Sequence, residues 1–139
     1  MKIVVSACLM GENCKYNGGN NYCQKVVDLV EDREVILVCP EVLAGLPIPR
    51  IPIEIAHGVV IDKNGNVVDG AIREAVAKIM EQLKEENIDF AVLKARSPTC
   101  GVHRIYNGTF TGTQVDGSGV LAQALMDAGS RVMDEEDLA

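Results

Sequence analysis

The chain reads as an α/β domain: a mostly parallel open sheet flanked by helices, with a small β-hairpin near residues 58–69. Three observations predict this. Short apolar runs rich in Val, Ile and Leu recur at residues 2–6, 34–38 and 89–94, and a last strand is expected at 130–133. Helical patterns lie between them, and alternating strands and helices build a parallel sheet. The alternating stretch around Asn64-Gly65 predicts the hairpin. A length of 139 residues fits one domain spanning 1–139.

Each element has a local reason. Residues 2–6 (KIVVS) form a short buried strand. Residues 7–21 hold three Gly and four Asn and read as a long loop, a feature often tied to function in compact domains. Residues 22–31 fit a helix with Val26, Val27 and Val30 on one side. After the strand at 34–38, residues 40–53 carry four of the five prolines and cannot stay regular for long. Residues 58–69 alternate around Asn64-Gly65, a dipeptide suited to a type I′ turn. The clearest helix is 70–86, where Ile72, Val76, Ile79, Met80 and Leu83 recur at helical spacing, with Asp69 as the expected N-cap. After the strand at 89–94 comes a Gly- and Thr-rich stretch, 95–119, with a short extended piece at Ile105-Tyr106. A helix at 119–128 and a strand at 130–133 follow. Asp134–Asp137 read as a solvated acidic end.

Composition narrows the function. The chain has 13 Lys+Arg against 20 Asp+Glu, a net charge of −7. That balance disfavours nucleic acid as a partner, because phosphate neutralisation needs clustered cations. No apolar run approaches membrane-spanning length, so no membrane partner is expected. The opening apolar run, ended by Ser6, is too short for a secretory signal, and the cytoplasm is the expected setting. Disulfides rarely persist there, so five cysteines point to metal binding or catalysis. Nothing in the sequence reports on oligomeric state.

The candidate chemistry sits where strands should end. Cys8, Cys39 and Cys100 each follow a predicted strand. Ligands bind beyond the carboxyl ends of strands in an open parallel sheet, so three sequence-distant thiols could converge there. One such cysteine is most simply a small buried apolar residue; three equivalent ones weaken that explanation. Three thiolates can hold a metal centre with one position open. Cys14 and Cys23 fit no C-x-x-C clamp and read as non-ligands. His103 could reach the site or be an ordinary surface histidine.

Glu41, two residues after Cys39 and pinned by Pro40, is the sharpest acid–base candidate. Ser97 could contact a substrate or serve as a turn serine. Arg50, Lys94 and Arg96 are cations near the same strand ends, suited either to a ligand or to solvent. Thr109–Gly112 could form a wall of the pocket. Gly117-Ser118-Gly119, ahead of a helix, could receive an anion.

Taken together, these segments resemble a known family. The residues are Ser6-Ala7-Cys8-Leu9-Met10-Gly11, Cys39-Pro40-Glu41, Gly45-Leu46-Pro47 through Pro49-Arg50, Lys94, Ser97-Pro98-Thr99-Cys100-Gly101, Ile105–Phe110 and Gly117-Ser118-Gly119-Val120. Their order and spacing are similar to those of the thiouracil desulfidase (TudS-type) family, long filed as a domain of unknown function. The match spans essentially the whole chain. The resemblance implies an enzyme with a [4Fe-4S] cluster held by Cys8, Cys39 and Cys100, its fourth iron open to sulfur. Aerobic preparation could strip such a cluster. The implied reaction is a non-redox desulfuration of a thiolated nucleobase, thiouracil to uracil plus hydrogen sulfide. Glu41 would transfer protons, and Ser97 would position substrate or relay a proton. Arg50, Lys94, Ser97 and Gly101 would contact the small-molecule thio-substrate. Two other readings stand beside it: a non-catalytic metal- or cluster-binding sensing module, and a desulfidase for a different small thio-compound.

Overall fold

The computed structural model describes residues 1–138. In chain order it holds β1 (Lys2–Ser6), a 3₁₀ turn (Ala7–Met10), α1 (Gln24–Val30), β2 (Glu34–Val38) and α2 (Pro40–Leu43). Then come β3 (Ile53–Ala56), β4 (Val59–Asp62), α3 (Asp69–Leu83) and β5 (Ile88–Leu93). The chain continues through β6 (Arg104–Tyr106), β7 (Gln114–Asp116), α4 (Val120–Asp127) and β8 (Val132–Asp134) to a last 3₁₀ turn (Glu135–Asp137). Four strands form a parallel sheet in the order β2-β1-β5-β8. This is the expected α/β architecture.

Alternate residues of each central strand enter opposite layers. Ile3 and Val5 of β1, with Phe90 and Val92 of β5, pack against Val26 and Val30 of α1. Val4, Ala91 and Leu93 face the other way, onto Val76, Ile79 and Leu83 of α3 and Leu121, Ala122 and Leu125 of α4. Burial on both faces explains why these strands are apolar throughout. Pro40 opens the single turn of α2, where its missing N–H costs nothing.

Three expectations are extended or changed. The hairpin around Asn64-Gly65 is present, with Asp62 N–H donating to the Asn66 carbonyl at 2.9 Å and an antiparallel bridge between Ile61 and Val67. Another precedes it: β3 pairs with β4 and reverses at His57-Gly58, both left-handed, with φ of 51° and 79°. Ile53 and Val60 thereby bury against Ile72. Asn64-Gly65 makes a second turn, in which Gly65 N–H donates to the Asp62 carbonyl at 2.9 Å. Asp69 begins α3 rather than capping it. Its carboxylate accepts the Val60 N–H at 3.0 Å and pairs with Arg73 at 2.9 Å, tying hairpin to helix.

The acidic end is the third change. Asp134 is 4% exposed and accepts the Glu136 and Asp137 N–H groups. Glu135 accepts the Ala95 N–H at 2.7 Å and pairs with Lys94 at 2.9 Å. Arg96 holds Glu136 and His103 holds Asp137, so the whole turn is fastened to the segment after β5.

Candidate functional site

Strand register brings the chemistry together. Ser6 ends β1 level with Val38 at the end of β2, and Val5 stands beside Val92 of β5. The chain leaves β1 to one side for β2 and later returns on the other side as β5, so the topological switch lies at β1. A cavity of ≈ 540 Å³ opens there, and Cys8, Cys39, Cys100, Glu41, Arg50, Lys94 and Ser97 all line it. Gly101 does not reach the cavity. It lies behind Cys100, where a Cβ would meet the Ser97 and Arg104 carbonyl oxygens at 2.7 and 2.9 Å. The absence of a side chain there lets the backbone of the Cys100 loop pack closely.

Cys8 sits on the 3₁₀ turn after β1, and Asn21 Nδ2 donates to its sulfur at 3.4 Å. Cys39 ends β2 and leads into α2. Cys100 is buried, and burial pushes its thiol pKa up to about 12, with the Ser6 hydroxyl acting the other way. Burial also raises the Cys8 thiol. The Cys100 loop is clamped by α4. Gly119, Val120 and Leu121 N–H groups donate to the carbonyls of Gly101, Pro98 and Thr99 at 2.8, 3.1 and 2.8 Å. The helix N-terminus expected to receive an anion therefore spends its donors on this loop.

Glu41 is held from two sides. Arg50 pairs with it at 3.3 Å, with side chains only 5% and 15% exposed. The same guanidinium donates to the Cys14 carbonyl at 2.8 Å and the Pro47 carbonyl at 3.4 Å. Arg50 is thus committed to orienting Glu41 and two loops rather than free for a substrate. Thr99 Oγ1 donates to the other Glu41 oxygen at 3.3 Å. Ser97 Oγ accepts the Thr99 and Cys100 N–H groups and lies 3.1 Å from Thr99 Oγ1. With the Thr99 hydrogen given to Glu41, Ser97 donates to Thr99, and the three side chains form one directed line. Lys94 Nζ is engaged by Glu135 and by the Ala95 carbonyl at 3.0 Å. Phe110 and Gly112 bring the Thr109–Gly112 segment to the cavity wall, as expected. His103 stays at the surface against Asp137.

Thr99, Asn21, Glu135 and Cys14 are the residues that sequence reasoning passed over. Thr99 carried a signal: a hydroxyl two residues from Ser97 and adjacent to Cys100. Cys14 also lines the cavity.

The donor set suits an iron–sulfur group: the three thiol-bearing residues Cys8, Cys39 and Cys100 line one cavity, and soft sulfur suits iron.

Fold and site together define an α/β protein with a thiol-lined cleft at the switch point of its sheet. Comparison with known proteins then narrows the class. A family model described as 2-thiouracil desulfurase matches residues 3–137. The chain is 39% identical over 146 residues to the uncharacterized protein YbbK of Bacillus subtilis (strain 168), covering 98% of this chain and 97% of that protein. It is also similar to the solved structure of the [4Fe-4S]-dependent thiouracil desulfidase TudS. The TM-score is 0.91 at 34% identity, covering 99% of this chain and 92% of the other. The chain belongs to the 2-thiouracil desulfurase family, a family of enzymes. Among the described residues, no helix is long and apolar enough to cross a membrane.

Proposed function

We propose that this single-domain protein is a cytoplasmic, [4Fe-4S]-dependent desulfidase that converts a thiolated nucleobase, thiouracil, to uracil and hydrogen sulfide without net redox change. One observation carries the reading. Three cysteines from three strand ends line one cavity, and a carboxylate in that cavity is hydrogen-bonded to the loop that bears the third. The resemblance to a [4Fe-4S]-dependent thiouracil desulfidase supports the same reading.

Cys8, Cys39 and Cys100 would hold the cluster, which when bound supplies a Lewis-acidic, sulfur-seeking iron. The protein's own groups do the rest. Glu41 takes a proton from the attacking water at a carboxylate oxygen and returns it to the leaving side. Arg50 and Thr99 fix the direction of that carboxylate. Ser97 keeps the Cys100 loop in shape and donates into the line that ends at Glu41. Tyr16, Tyr106 and Phe110 line the cavity and offer aromatic faces to a planar pyrimidine.

The test is anaerobic loading with iron and sulfide, then assay of sulfide release from 2-thiouracil and 4-thiouracil. The reading predicts release by the loaded protein and none by Cys39→Ala. A loaded Glu41→Gln protein that releases sulfide at the wild-type rate would contradict it. A loaded wild-type protein with no release from either compound would favour a sensing module or another thio-substrate.

A further inference from the structure

A second carboxylate borders the cavity and has no part in the chemistry above. Glu54 lies on β3, is only 9% exposed and lines the cavity. Strand alternation sets its direction: Ile53 turns toward Ile72 of α3, so its neighbour Glu54 turns the other way. There it meets the loop between β6 and β7. Its Oε1 accepts the Gly108 N–H at 3.0 Å and the Phe110 N–H at 3.2 Å. The loop lies close on β3, since a Cβ at Gly108 would stand 2.6 Å from Ala56 Cα. Phe110 is held in the left-handed region, with φ of 58°. Tyr106 and Phe110 line the cavity on either side of this attachment. One oxygen of Glu54 therefore fixes the aromatic wall.

The other oxygen is left for a ligand. Among the described residues, both hydrogen bonds to Glu54 end on Oε1, and no cation pairs with it. No buried side-chain oxygen among those residues lacks a partner, so Oε2 reaches open space. Glu54 is otherwise buried and borders the cavity, so that space is the cavity. An ionised carboxylate oxygen only accepts hydrogen bonds, so the group that completes it is a donor. Thiouracil carries two such donors, its ring N–H groups. Resting on the function proposed above, we propose that Glu54 is a substrate-binding residue whose Oε2 accepts a ring N–H of the pyrimidine. Tyr106 and Phe110 offer their faces to the same ring, so one side chain reads the ring edge and sets the wall that covers it. Hydrogen bonds to an ionised group are the strong ones, and a site built to take an N–H rejects the analogue that lacks it. The cavity thus selects pyrimidines whose N–H at this oxygen is unalkylated.

Glutamine separates the work of the two oxygens. In Glu54→Gln the amide oxygen still takes both backbone N–H groups, which turns the amide nitrogen, a donor, toward the cavity. A residue that only anchored the loop would tolerate the exchange. The experiment titrates loaded wild-type and Glu54→Gln proteins calorimetrically with uracil and with 1,3-dimethyluracil, which has no N–H, and records both melting temperatures. The variant should melt with the wild type and bind uracil at least about tenfold more weakly. Both proteins should bind 1,3-dimethyluracil alike. Equal uracil affinity in the two proteins, or no uracil binding by the wild type, would overturn the proposal. Should the variant melt lower, the wild type decides alone: uracil should bind at least about tenfold tighter than 1,3-dimethyluracil, and equal affinity would overturn the proposal. Sulfide release is read separately. Uracil binding that depends on Glu54, without sulfide release from thiouracil, would sink the reaction and leave this contact standing; sulfide release with uracil binding indifferent to Glu54 would do the reverse.

Discussion

Thr99 joins Glu41, the proposed acid–base group, to the thiol loop through a single hydroxyl. It is 1% exposed and touches Glu41, Ser97 and the Cys100 sulfur. Replacing the hydroxyl by a methyl keeps the volume and leaves both polar neighbours short of a partner, at a cost of about 1–3 kcal/mol. Thr99→Val should therefore still take up iron and sulfide but release sulfide from thiouracil at least about tenfold more slowly, as measured at matched cluster content. Arg50 and Lys94 illustrate what residue type alone leaves open. Both stand at the cavity as the sequence suggested, yet each is committed to an internal carboxylate, Glu41 and Glu135. The partners lie nine and 41 residues away, so only the folded chain reveals the pairing. Cys14 was passed over for a similar reason: its spacing matches no ligand motif, and only the folded loop brings it to the cavity.

Elements act here as clamps. α4 gives its first amides to the Cys100 loop, and Gly119 permits the approach, since a Cβ there would lie 2.4 Å from the Thr99 carbonyl carbon. Gly119→Ala should push the loop off the helix, lower the melting temperature and reduce cluster uptake, both checked on one preparation. The closing 3₁₀ turn is the second clamp. The His103 imidazole is raised above its usual pKa, first by its hydrogen bond to Asp137. A raised histidine contributes stability that is complete below about pH 6.5 and fades as the pH climbs through the folded-state value. His103→Ala should accordingly lower the melting temperature at pH 5.5 and leave it nearly unchanged at pH 9. An equal loss at both would show that the ion pair is idle. The sequence made the principal strands and helices legible, because apolar runs and helical periodicity are local signals. It missed the β3–β4 pairing and misjudged the acidic end, because burial of Ile53 and Val60 on Ile72, and capture of Glu135 by Lys94, are long-range events.

For the whole molecule, the sheet turns distance in sequence into proximity. Cys8, Cys39 and Cys100 follow different strands and line one cavity because those strands run parallel and end side by side. That convergence was legible, since each thiol followed an apolar run. The cluster and the thiouracil were not, and they came from resemblance. A group that joins three strand ends should stabilise the fold by linkage. The loaded protein should melt above the cluster-free protein, and Cys39→Ala should show no such rise after the same treatment.

The most direct test of the central claim is anaerobic turnover of thiouracil by the loaded protein in ¹⁸O-labelled water with no reductant added. The account predicts one labelled oxygen in each uracil formed and one sulfide for each thiouracil consumed. Turnover that required a reductant, or uracil whose new oxygen did not come from water, would contradict it.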